Sequence, residues 1–375
     1  MAHAFKFGIE EELFLANARS RAAPSRSTDA FHEDARRRLN GVEREVLQSQ
    51  VEIMTEPSAS FEETRRHYAG LRTGLAEIGR RHGLKVFAAG THPTAIWLEQ
   101  KGTDKARYRD IIEELQIVGR RWVVCGQHVH VEVPRPAARI DLMNRLLPFL
   151  PLLLALSTSS PFWGGRRTGL AGYRLRAYEE LPRSGLPELF DDAADYDRFV
   201  RAITRSGAVR DPTFLWWHIR PSVRYPTLEL RIADSCTRLE DALTIAALFR
   251  CLVRLVDRRP DVNARMTGAS RGIVMTNLWR AERDGTRAAL IDEAREVLVP
   301  IPEIVEALLD LIGEDAAALG CTAECARART IARDGSSADR QVAVFEAART
   351  GGASERAALN AVIDWLAQTT ADPMA

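Results

Sequence analysis

Phe5-Lys-Phe-Gly-Ile-Glu-Glu-Glu-Leu-Phe-Leu15 carries apolar residues at Phe5, Phe7, Ile9, Leu13 and Leu15, at every second position. Alternation of that kind predicts a half-buried strand, not a helix. Glu10 and Glu12 then share the face opposite the apolar one, with stems roughly 6.6 to 7 Å apart at the usual strand rise. Two ionised carboxylates held there repel each other, and a divalent cation is the simplest remedy. The competing reading is an edge strand that carries acids against aggregation. Glu11 falls on the apolar side and needs either a buried arginine or a bulge.

Working outward, other stretches repeat the pattern. Gln48 to Thr55 puts Ser49, Val51 and Ile53 on one face and Glu52 on the other. Trp122 to Val133 alternates Val123, Cys125, Val129, Val131 and Val133 with His128, His130 and Glu132. Two imidazoles beside an acid are a metal or anion signal, against the plain alternative of satisfied structural histidines. Thr227 to Asp234 turns Leu228, Leu230 and Ile232 inward and leaves Glu229 beside Arg231, a pair that also fits a simple ion pair. The fold expected is α+β: a curved antiparallel sheet with a concave polar face, backed by helices. The oxygen-rich donors favour magnesium, with manganese second, over zinc.

The intervening segments support helices and loops. Ser60 followed by Glu63 reads as a capping box, and Phe61, Tyr68, Leu71, Leu75 and Ile78 continue a helical stripe. Tyr108, Ile111, Ile112, Leu115 and Val118 mark a second amphipathic helix, and Leu142 to Leu156, broken by Pro148 and Pro151, reads as a kinked buried one. Ser157 to Phe190 is dense in Gly, Pro and Arg and is read as an anion-gripping lid. Residues 1–239 are thus sheet-rich and 240–375 helical, within one domain over 1–375.

Composition narrows the class. The 375 residues are 46% hydrophobic, enough for a large core, and 52 basic against 51 acidic residues give no field that draws nucleic acid or a membrane surface. Arginine supplies nearly all the positive charge, since the lysines are only Lys6, Lys85, Lys101 and Lys105. Five cysteines without a tight framework, and acids interrupting the N-terminal apolar residues, lead us to expect a cytoplasmic protein. Cys125 is expected in the core without a disulfide, and Cys321 and Cys325 as ordinary thiols. The apolar helical tail exceeds what one sheet face covers, so a homodimer or larger homo-oligomer is expected. No phosphate-binding glycine loop of the Walker or Rossmann type is present, so a nucleotide would be held by metal and arginine.

Eight motifs occur in order: Gly-Ile-Glu-Glu-Glu12, Gln50-Val-Glu-Ile53, Gly90-Thr-His-Pro93, Cys125-Gly-Gln-His-Val-His-Val131, Ser160-Pro-Phe-Trp163, Thr168-Gly-Leu-Ala-Gly-Tyr-Arg174, Leu215-Trp-Trp217 with Arg220-Pro-Ser222, and Thr227-Leu-Glu-Leu-Arg231. Together they resemble the bacterial glutamate-cysteine ligase type 2, or carboxylate-amine ligase, family, over about two thirds of the chain and in outline through the tail. The resemblance implies a glutamine-synthetase-like fold, ATP, Mg2+ and an acyl phosphate made from a small amino-acid-like substrate. It implies metals on Glu10, Glu12, Glu52, His128 and Glu229, with Glu10, Glu229 and Arg231 in the catalytic set and Arg231 at the moving phosphoryl group. Arg174 is then expected to clamp substrate carboxylate or phosphate, and His130 to contact nucleotide or phosphate. The chain departs from the family pattern at Glu132, Arg167, Gly172 and His218, which leaves glutamate plus cysteine open as the substrate pair. A metal-dependent amide hydrolase and a non-catalytic binding relative are the alternatives.

Overall fold

The computed structural model describes residues 3–104 and 106–373. Its central sheet is built on β1 (Phe7–Asn17), β2 (Val42–Arg44), β3 (Gln50–Met54), β4 (Leu84–Phe87) and β5 (Gln127–Glu132), joined by strands Ile219–Pro221 and Thr227–Leu230. The order is Ile219–Pro221, Thr227–Leu230, β5, β1, β3, β2, with β4 added beside the far half of β1. Every neighbouring pair in this sheet is antiparallel. The long β1 is therefore the spine: it meets β5 and β3 with its first half and β4 with its second.

Alternation along β1 sets the layers. Phe7, Ile9, Leu13 and Leu15 enter the main core with Val129, Val131 and Leu228 from neighbouring strands, under helices Phe61–Arg81 and Leu239–Arg258. Phe14 and Ala16, on the opposite face, enter a second core covered by Leu359, Val362, Ile363 and Leu366 of helix Glu355–Ala371. One half of that face is thus roofed by the C-terminal helices, and the half holding Glu10 and Glu12 is left as a cleft. Much of the tail's apolar stripe is covered within the chain, while Met275, Trp279, Val297, Leu298 and Leu311 stay exposed.

Glu11 resolves as a buried pair. Its carboxylate accepts from Arg72 Nε at 2.9 Å and again from Arg72 Nη2, and both residues are sealed from solvent. Arg72 also donates to the carbonyls of Cys236 and Thr237 at 2.7 and 2.9 Å, and Ser235 Oγ donates to Glu11 at 3.0 Å. A desolvated ion pair survives only when its remaining donors and acceptors are met in this way. The pair nails the helix Phe61–Arg81 to β1 and to the chain leaving strand Thr227–Leu230.

Several local expectations are corrected. The capping box at Ser60 is half made: Ser60 Oγ accepts from Glu63 N, but Glu63 binds Ser58 Oγ, which in turn accepts from Ser60 N. Residues 157–190, read as one loop, contain regular elements. They form the hairpin Phe162–Trp163 with Arg166–Arg167, the helix Tyr173–Tyr178 and a short strand parallel to Trp216–Trp217. A hairpin, Ala289–Asp292 with Val297–Pro300, interrupts the stretch read as wholly helical. The second amphipathic helix runs over Ala106–Leu115, and its expected stripe residues Ile111 and Ile112 lie outside the described side chains. Pro136–Ser157, the one run among the described residues long and apolar enough to cross a membrane, is mostly buried inside the fold and changes helical type around Pro148 and Pro151.

Candidate active site

The open half of the sheet forms a cleft of about 590 Å³. Glu10 and Glu12 of β1, Glu52 of β3, His128 and His130 of β5, and Glu229 and Arg231 from the strand Thr227–Leu230 and its exit all line it. Strand register explains why. Glu10 lies opposite His128, Glu12 opposite Glu52, and Glu229 opposite His130. A one-residue slip in any of these pairings would turn its side chains into the core.

Glu10 is the shared member of two donor groups, one with Glu52 and His128 and one with His130 and Glu229, whose ligand atoms in each group lie within 4.8 Å of one another. Its oxygens sit 3.6 Å from His128 Nδ1 and 3.4 Å from His130 Nε2. These separations are long for hydrogen bonds and short enough for ligands of a common ion. His128 Nε2 and His130 Nε2 are buried with no hydrogen-bond partner among the described residues. Carboxylates with two under-satisfied imidazoles fit a divalent cation held mainly by oxygen. Glu12 faces the same space, one of its oxygens already accepting from Gly126 N at 2.7 Å.

The charges are mutually conditioned. Burial alone would raise the Glu10 carboxyl, but the two imidazoles overcome it and hold it well below the usual carboxylate range. Burial, with Arg231 nearby, lowers His128, whereas His130 is raised against its burial by Glu10 and Glu229. Glu229 is likewise held far below its ordinary value, against burial, by Arg231 and Arg220. Its carboxylate accepts a fork from Arg220, Nε at 2.7 Å and Nη2 at 3.1 Å, plus a further bond from Arg231 Nη1. Arg231 Nη2 reaches Tyr178 Oη at 3.1 Å, and Arg231 Nε has no partner among the described residues. The ion-pair alternative for Glu229 and Arg231 is therefore present in the structure, inside the cleft.

Arg174 requires a correction. Expected as a clamp in the site, it is buried and absent from the cleft lining, with its guanidinium 3.3 to 3.4 Å from the carbonyls of Arg231 and Ile232 and its centre 5.3 Å from the Tyr178 ring. It packs so tightly under Gly126 that a Cβ there would meet Arg174 Nη2 at 2.0 Å. Glycine at 126 thus lets Arg174 brace from behind the same backbone unit whose N–H binds Glu12. The alternating pattern could not reveal this, because Arg174 lies outside the sheet.

The cleft also holds residues not singled out beforehand. Glu43 and Glu45 from and beside β2 add acid at one side, and Arg220 and the exposed Arg224 add positive charge at the other, with Tyr108, Trp122, Trp216 and Tyr225 as aromatic walls. Arg220 stands in a quoted motif, but its fork onto Glu229 depends on a strand pairing that sequence does not print. The four departures do not line the cleft. Arg167 is exposed and pairs with Glu346, His218 is buried against Glu179, Glu132 lies by His3, and Gly172 packs its backbone near Thr158.

An antiparallel sheet backed by helices thus opens an acidic, arginine-bearing face into a cleft whose donors suit a divalent cation and an anionic ligand. The pattern of Glutamate-cysteine ligase family 2 matches residues 6–359, and the chain belongs to that family. A relative in Rhodospirillum rubrum, provisionally named glutamate--cysteine ligase 2, is 45% identical over 376 residues, covering 99% of this chain and 97% of its own. A relative of the same provisional name in Bradyrhizobium diazoefficiens is 43% identical over 367 residues, covering 98% of this chain and 84% of its own. Among solved structures, the glutamate--cysteine ligase of Francisella tularensis in complex with AMP superposes with a TM-score of 0.72 at 12% identity, over 98% of this chain and 89% of that one. The bifunctional glutathione synthetase of Pasteurella multocida gives 0.68 at 13% identity, and the chain spans about half of it, 52%, while 97% of this chain is covered. At such identities the two structures speak for the fold alone.

Proposed function

We propose that this chain, a carboxylate–amine ligase by family, joins a glutamate-like amino acid to the amine of a second amino acid of the cysteine class, working as one domain with Mg2+. A carboxylate is inert to amines, so it must first become a better electrophile. Its oxygen takes the γ-phosphoryl group of ATP as the bond to ADP breaks, and the amine then attacks the acyl carbon. Phosphate leaves with the C–O electrons and the amine loses a proton. What carries the reading is Glu10, shared between two donor groups with Glu52 and His128 on one side and His130 and Glu229 on the other.

In this reading Glu10, Glu12, Glu52, His128 and Glu229 hold Mg2+, with Mn2+ as a working substitute. Bound there, the metal offsets the charge of the polyphosphate. Arg231 stabilises charge that develops during transfer, at fixed geometry, because Glu229 and Tyr178 hold its fork in place. His130 contacts the nucleotide phosphates. Arg224, exposed at the mouth, takes the anion-gripping role first given to Arg174. Since Glu132, Arg167, Gly172 and His218 stand outside the lining, they give no reason to move the substrates away from the glutamate and cysteine class. Glutamate labelled with oxygen-18 in its carboxylates tests the acyl phosphate directly. The label must appear in the released phosphate, and unlabelled phosphate alongside new amide would refute the route.

A further inference from the structure

Three of the five cysteines converge outside the cleft lining. Cys251, on helix Leu239–Arg258, places its Sγ 3.5 Å from that of Cys321, the residue preceding helix Thr322–Ala326, and 3.7 Å from that of Cys325 near the end of that helix. The three sulfurs lie within 4.8 Å of one another, all are buried and none forms a disulfide. Zinc–sulfur bonds of about 2.3 Å set in a tetrahedron put sulfurs roughly 3.7 to 3.8 Å apart, so the triad spans one face of such a sphere. Buried thiols in ordinary contact have similar spacings, and distance alone does not decide.

Charge supplies the second observation. Arg250, next to Cys251, is 1% exposed and has no carboxylate partner among the described residues. Its Nε and Nη2 donate to the carbonyls of Phe5 and Ala4 at 2.8 Å each, it stacks over Phe7, and Nη1 finds no partner among the described residues. Asp315, the nearby acid on Gly313–Ala318, is already paired with Arg254 and Arg258. A guanidinium buried without a counterion is costly, and thiolates held by a cation beside it in the chain would offset that cost. Three thiolates around a divalent ion leave one net negative charge, which complements Arg250.

We infer that Cys251, Cys321 and Cys325 form a structural site for a thiophilic d10 cation, zinc or copper(I), that ties helix Leu239–Arg258 to the turn at Cys321. Binding releases the three thiol protons and involves no change of oxidation state. Copper(I) is satisfied by the three sulfurs, whereas zinc completes its sphere with a small exogenous ligand. The test uses the full chain without a polyhistidine tag, loaded with Zn2+ or Cu+ under reducing conditions and dialysed against excess Mg2+ to clear the carboxylates. Expected are about one equivalent of retained metal by mass spectrometry and, with Co2+ as probe, a thiolate-to-metal charge-transfer band. Cys251→Ala and Cys325→Ala should lose both, and Cys236→Ala should keep both. No retained metal and no charge-transfer band in the wild-type chain would overturn the site, a readout that stands even if the variants misfold. A native disulfide within the triad, or metal that persists in folded Cys251→Ala, would overturn it as well.

Discussion

Glu10 faces His128 across the β1–β5 pairing, with Oε2 and Nδ1 3.6 Å apart, and the same carboxylate reaches to 3.4 Å from His130 Nε2. One acid between two imidazoles, with Glu52 and Glu229 on either side, is a ligand geometry more than a hydrogen-bonding one. Glu10→Gln should cut the ligation rate by about a hundredfold or more and raise the Mg2+ concentration needed for half-maximal rate. Initial rates over a magnesium titration measure this; a variant with an unchanged magnesium requirement would remove Glu10 from the metal site.

Arg231 separates catalysis from scaffolding. In Arg231→Ala, Glu229 keeps the fork of Arg220, so no buried charge is left alone and melting should stay near normal. Phosphoryl transfer should still fall by about 3 kcal/mol in the barrier, roughly a hundredfold or more in rate. Thermal melting alongside ADP release checks both halves. A large loss of melting temperature with the rate retained would make Arg231 a strand tie only.

For the Glu11–Arg72 pair the cost should appear in stability. Arg72→Met leaves Glu11 as a buried carboxylate without its cation, and should cost about 3 to 5 kcal/mol in unfolding free energy. The double variant Arg72→Met with Glu11→Leu should recover a substantial part of it. Denaturant unfolding of wild type, both single variants and the double decides, and strict additivity would show that the two residues do not act as a pair.

A pH dependence follows from Glu282, which shares Arg176 with Glu179. Burial pushes fully enclosed Glu282 up to about 8, Arg176 pulling the other way and Glu179 adding to the rise. The folded chain then binds a proton that the unfolded chain has lost, so this contribution is complete below the ordinary glutamate value and disappears as pH rises through about 8. Across that window the loss is at most about 1.4 kcal/mol per pH unit. Glu282→Gln should flatten the curve of unfolding free energy against pH between 5 and 8, relative to wild type. An equal slope in both chains would assign the dependence elsewhere.

Much of the cleft was legible in the sequence because strand alternation is a local rule. Glu10, Glu12, Glu52, His128 and Glu229 each sit opposite an apolar face in their own segment, and pairing brings those faces together. Glu11 was legible as an anomaly that demanded an arginine, although which arginine was not, since Arg72 lies 61 residues away. Arginine in a glycine-rich stretch reads as solvent-facing, and only the packing against Gly126 turns Arg174 inward. Cys251 was not joined to Cys321 and Cys325 for a similar reason: the contact crosses 70 residues and needs two helices to be docked. The hairpin at Ala289–Asp292 is short enough to be lost between helical stripes.

The most direct test of the account is product stoichiometry with purified chain, Mg-ATP, glutamate and cysteine. We predict one ADP and one phosphate for each dipeptide detected by mass, with no dipeptide when ATP or the divalent cation is withheld. Amide formed or cleaved without ATP, or ATP consumed with no new amide from any amino-acid pair, would contradict it.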